Sequence, residues 1–150
     1  VTTHTWEERY ETCKNVKEVG LRLICGGIFG LGETQEQRVS MLESIASLEP
    51  MNVPLNFFHP NEALPLVENS VSKEEAFELI TLARKMVPNA KKIMVAGGRE
   101  LMFGDEQYKI FEKGANAFVI GDYLTTQGKS PKDDMHELEK LGFKVARERN

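Results

Sequence analysis

Four short apolar segments recur along the chain at nearly even spacing, each closed by glycine or polar residues, and stretches with helical periodicity lie between and around them. They run from Leu21 to Phe29 (LRLICGGIF), Val53 to His59 (VPLNFFH), Ile93 to Ala96 and Ala117 to Ile120 (AFVI). They start about 32 residues apart on average, close to the ~31 per unit of a (βα)8 barrel of ~250 residues. Their near-continuous apolar character suits strands that helices cover in a parallel sheet.

The helical stretches carry their own start and stop signals. Thr5 is an N-cap candidate for a helix reaching Val19, with Glu7 and Glu8 in its first turn and Gly20 at its end. Thr34 with Gln37, and Ser72 with Glu75, form capping boxes. A turn-rich loop separates His59 from Ser72. The helix after Ser72 carries Phe77, Ile80, Leu82, Ala83 and Met86 on an apolar face and stops before Pro88. Another helix is expected from near Asp105 to Gly114. The last runs from Pro131 to Leu141, with Ser130 as N-cap and Gly142 as its stop. Pro54 is expected at the start of its strand. The pattern is α/β: one helix, then four consecutive βα units, in a single domain over 1–150. Half of a barrel and a small open doubly wound sheet both fit it.

Composition narrows the function classes. The 150 residues suit one domain of ~150. A net charge of −4 offers no basic stripe for nucleic acid, and no apolar run approaches the ~20 residues of a membrane helix. The only two cysteines, Cys13 and Cys25, cannot make a disulfide framework, which points to a reducing, cytoplasmic setting. The chain opens on Val1 rather than Met, so an upstream segment is expected.

In either architecture chemistry belongs at the C-terminal ends of the strands. Those ends read Gly26 to Glu33 (GGIFGLGE), Asn56 to His59, Ala96 to Glu100 (AGGRE) and Gly121 to Tyr123. A glycine-rich turn ahead of a helix can hold an anion or an adenosine-like ligand, or simply make a tight connection. Asn56 interrupts an apolar strand and needs hydrogen-bond partners, from a substrate or from the protein. Arg99 suits an ion pair or a carboxylate clamp. His59 and His136 have no second ligand at metal spacing.

Six stretches in order carry a resemblance: TTHTWEER (Thr2 to Arg9), GGIFGLGET (Gly26 to Thr34), VPLNFF (Val53 to Phe58), AGGRE, GANAFVIGDYLTT (Gly114 to Thr126) and SPKDD (Ser130 to Asp134). With them the sequence resembles the C-terminal half of the biotin synthases. That resemblance implies four βα units forming the C-terminal half of a TIM-type (βα)8 barrel of a radical S-adenosylmethionine enzyme. It implies sulfur insertion into dethiobiotin with a [4Fe–4S] cluster, a [2Fe–2S] cluster and S-adenosylmethionine, in a cytoplasmic homodimer. By position it implies that Arg9, Ile28 and Leu31 contact S-adenosylmethionine, Asn56 contacts dethiobiotin, and Arg99 ligates the sulfur-donor cluster.

Two departures shape the expectation. The CxxxCxxC triad of the [4Fe–4S] cluster is absent, so the chain needs the N-terminal half of its barrel and is expected to be inactive alone. Where the family reads CSGG this chain reads ICGG, placing Ile24 at the cluster cysteine and Cys25 one residue on. A one-residue shift turns a strand side chain to the other face, so Cys25 is expected outward and can ligate only if the strand end is irregular. Alternatives are another radical enzyme of this barrel type, for cofactor maturation or a methylornithine-type rearrangement, and a stand-alone half-barrel binding module.

Overall fold

A computed structural model describes residues 3–60, 70–123 and 127–146. Thr2, most of the turn-rich loop (61–69) and Leu124 to Thr126 of GANAFVIGDYLTT lie outside the described residues. The chain divides into two compact units, Val1–Phe118 and Val119–Asn150.

The first unit opens with helix α1 (Trp6–Glu18), capped reciprocally by Thr5 and Glu8. Strand β1 (Gly27–Phe29), helix α2 (Gln35–Ser47), strand β2 (Asn52–Phe57), helix α3 (Lys73–Met86) and strand β3 (Lys92–Val95) follow. Thr34 with Gln37 and Ser72 with Glu75 close the expected capping boxes on α2 and α3. After β3, helix α4 (Arg99–Phe103) passes into a 3-10 segment (Gly104–Phe111) and then strand β4 (Ala117–Phe118). The helical stretch therefore begins six residues before the expected start near Asp105. Gly98 takes φ 79° at its N-cap, and a Cβ there would meet the Phe57 carbonyl oxygen at 2.0 Å, so this turn accepts only glycine.

All four strands are parallel in the order β1-β2-β3-β4. The registers Ile28↔Asn56, Pro54↔Met94 and Met94↔Ala117 put these five side chains on one face. Phe29, Val53, Leu55, Phe57, Ile93 and Val95 occupy the other face and pack with Leu42 and Ile45 of α2 and Phe77, Ile80 and Ala83 of α3. This layer is the core. On the first face Ile28 is 50% exposed and Ile24 56%.

Pro54 sits inside β2 rather than at its start, and β1 is shorter than expected for one shared reason. The Pro54 carbonyl lies against Gly26, so its protonless nitrogen also turns toward β1. The pairing there shrinks to an isolated bridge, Ile24↔Asn52, and the pairs from Gly27 onward. On the β3 side the ladder continues, with Leu55 accepting from Ala96 N at 2.9 Å.

The second unit is built around helix α5 (Pro131–Lys140), where the Ser130 side chain accepts from Asp133 N and Pro131 opens the first turn. Asp134 and Leu138 are its buried residues.

Candidate functional site

The turn after β1 organises one end of the open face. Gly30 and Gly32 take φ 97° and 98°, and Leu31 stands between them with 49% of its surface exposed. Glu33 folds back so that its carboxylate accepts from Gly30 N at 2.8 Å and Leu31 N at 2.7 Å. Ser70 Oγ accepts from Gly32 N at 3.0 Å. The turn's amides are thus engaged within the protein, around a carboxylate. That excludes the anion-binding option and leaves apolar surface, Ile28 and Leu31, as what the turn offers a ligand.

Arg38 lies beneath this turn, 5% exposed, and sequence reasoning missed it. Its Nε donates to Glu33, one terminal nitrogen to Glu75 and the other to the Ser70 carbonyl, each at 2.9 Å. Burial works against the ionised Glu33 carboxylate, but hydrogen bonds from Gly30 N, its own amide, Arg38 and Leu31 N outweigh it and hold the group below the usual carboxylate range. The Ser72 amide, then Arg38, hold Glu75 low as well. The sequence signal was present as acidic residues flanking a lone arginine on α2, a pattern too common to single out.

Asn56 lies beside Ile28 on the open face and spans the strand ends. Its Nδ2 donates to Gly27 O at 3.2 Å and its Oδ1 accepts from Gly97 N at 2.8 Å. The protein supplies its first partners, and one N–H and one lone pair remain. Arg9 is exposed on α1.

The two residues carried over as cluster ligands stand elsewhere. Cys25 shares the parity of Gly27 and Phe29, packs on the core and lies with its Sγ 3.9 Å from that of Cys13 on α1. Burial, then the neighbouring Cys13, push its thiol up to about 11. Without a metal it is a protonated group at neutral pH, and it faces outward into the helical layer. Ile24 occupies the exposed position and has no donor. Arg99 is fully buried. Its guanidinium bonds Gln107 and Glu100 and lies 4.3 Å from the centroid of the Phe118 ring. Phe118 pairs with Val95, on the core face, so Arg99 belongs to the layer behind the sheet. Lys92 and Met94, not Arg99, are the β3-side residues on the open face. The expected [2Fe–2S] ligand set of Cys25 and Arg99 therefore does not fit this arrangement, because neither side chain shares a face with Ile28 and Asn56. Cys25→Ala in the full-length protein should cost about 1 kcal/mol of stability and leave iron and sulfide content unchanged. Thermal unfolding with iron and sulfide assays checks both.

Comparison with known proteins supplies a family. Residues 54–144 match the family described as the Biotin and Thiamin Synthesis associated domain. A biotin synthase of Aliarcobacter butzleri is 63% identical over 145 residues, which is 97% of this chain and 51% of that protein. One from Nitratiruptor sp. is 60% identical over 145 residues, with 97% and 52% covered. A Helicobacter pylori biotin synthase is 51% identical over 148 residues, with 97% and 52% covered. The chain spans about half the length of the curated relatives it matches. A solved structure of methylornithine synthase aligns with a TM-score of 0.77 at 21% identity, over 97% of this chain and 47% of that one. The parallel βα units are those of half a (βα)8 barrel.

Proposed function

The chain belongs to the Biotin and Thiamin Synthesis associated domain family, and from that premise we propose that it is the C-terminal half of a biotin synthase barrel, inserting sulfur into dethiobiotin together with its N-terminal half. The observation that carries the reading is the open sheet face, where apolar Ile28 and polar Asn56 stand side by side in register next to a turn whose amides are already satisfied.

Each residue's part follows from its chemistry. Ile28 and Leu31 present apolar surface to the adenine of S-adenosylmethionine. Arg9 pairs with the carboxylate of its methionine moiety. Asn56, held at both ends by backbone, offers its remaining N–H and lone pair to the ureido group of dethiobiotin. When bound, a reduced [4Fe–4S] cluster with S-adenosylmethionine supplies the hydrogen-abstracting 5′-deoxyadenosyl radical. The three thiolates of that cluster lie outside this chain, since Cys13 and Cys25 are its only cysteines.

No helix among the described residues is long and apolar enough to cross a membrane. Two free thiols, Cys13 and Cys25, suit a reducing cytoplasm. The homodimer rests on the resemblance alone, and sedimentation of the full-length protein tests it.

The experiment is anaerobic reconstitution of the full-length protein with iron, sulfide, reductant, S-adenosylmethionine and dethiobiotin. Formation of 5′-deoxyadenosine and biotin is expected, with neither product from residues 1–150 alone. Ile28→Asp places an unpaired charge where adenine would lie, so S-adenosylmethionine cleavage should fall about a hundredfold or more. Full-length protein that cleaves S-adenosylmethionine but leaves dethiobiotin untouched would replace this reading with another radical enzyme of the same barrel type.

A further inference from the structure

We propose that Arg38 is a positioning residue for the nucleoside side of the site, acting through Glu33 and Ser70 on the turn that presents Leu31. The inference rests on the reading above, in which Leu31 contacts S-adenosylmethionine.

Leu31 is half-exposed, so core packing does not fix where it points. Its flanking glycines both have positive φ, which leaves the turn's shape to its hydrogen bonds. Among the described residues, three amides in succession, Gly30, Leu31 and Gly32, are tied by two side chains, Glu33 and Ser70. Arg38 grips both: Nε holds the Glu33 carboxylate and a terminal nitrogen holds the Ser70 carbonyl. Ser70 N also donates to Gly30 O at 3.3 Å, closing a loop of contacts around the turn. The third bond, to Glu75, anchors the guanidinium to the capping box of α3, where Glu75 also accepts from Ser72 N at 2.8 Å. Arg38 thus references the turn that carries Leu31 to two helix N-termini. A planar fork with three fixed donor directions can do this, and a point charge cannot.

The test is Arg38→Lys in full-length enzyme, with Ser70→Ala as a milder second variant. Lysine keeps the positive charge between Glu33 and Glu75 but not the three directed bonds. The KM for S-adenosylmethionine should rise about tenfold, the effect of one lost hydrogen bond, with kcat and the dethiobiotin KM changed less than about twofold. Ser70→Ala, at an exposed position, should shift the same KM by a smaller factor in the same direction. Faster amide exchange at Gly30 to Gly32 should accompany both. A merely structural role would lower kcat with the active fraction and leave both KM values alone, and that result overturns the proposal. So does an equal rise in both KM values. If wild-type protein does not use S-adenosylmethionine, the functional reading itself fails and this inference falls with it. If wild type uses it and both variants match wild type, only the role of Arg38 fails.

Discussion

Gly26→Ala should be among the most damaging single substitutions in the chain. An alanine Cβ would stand 1.8 Å from the Pro54 carbonyl oxygen, 2.8 Å from its carbon and 2.9 Å from its ring Cδ. None of these atoms can move alone: two are backbone in a strand paired on both sides, and the third belongs to a rigid ring. Relief requires β1 to part from β2 where the pairing is already thinned to the Ile24 bridge. Overpacking against yielding side chains costs ~1–3 kcal/mol, and here the obstacle is backbone, so at least ~3 kcal/mol is expected. Gly27→Ala meets only the flexible Met41 side chain, at 2.4 Å from Sδ, and should cost clearly less. Urea midpoints of the two variants in the full-length protein check the ranking. Equal losses would mean that β1 moves freely as a unit.

Local chemistry was legible in the sequence where the signal is local. Thr5, Thr34, Ser72 and Ser130 cap the helices expected of them, because a capping box or an N-cap next to Pro is completed within four residues. The short apolar strands and their parallel order followed from spacing. What was not legible depends on partners far along the chain. Among the apolar strand residues, Ile28 is on the open face, while Val53, Leu55 and Val95 are packed beneath helices. Apolar character alone could not sort them, since both faces of such a sheet are to be covered.

The site shows the same division. Ile28 and Asn56 share the open face and Leu31 is half-exposed on the turn beside it, and Cys25 faces the helix layer as strand alternation predicts. Arg99 went astray because a motif match carries no direction. The backbone turns through left-handed Gly98 between β3 and Arg99, and that turn sends the side chain behind the sheet to Gln107 and the Phe118 ring. Arg38 went unseen because its three partners lie five to thirty-seven residues away.

Arg38→Met should cost most at neutral pH and progressively less in acid. Methionine keeps the apolar stem and removes the charge that faces Glu33, whose side chain is 17% exposed, leaving that carboxylate buried without its cation. Removing one partner of a buried pair typically costs ~3–5 kcal/mol. Both carboxyls have folded pKa values held below their ordinary one, so their pairing stabilises the native state above the unfolded value of ~4.3 and is lost as pH falls through the folded values. Wild type should therefore lose stability on acidification while the variant, which never had the pairing, loses less. In acid the buried guanidinium of wild type faces neutral carboxyls, which narrows the gap further, because arginine stays charged throughout. The difference in urea midpoint between wild type and variant should be widest near pH 7 and shrink below about pH 4. A deficit that stays constant across that range would assign the loss to the packing of the Arg38 stem instead of its charge.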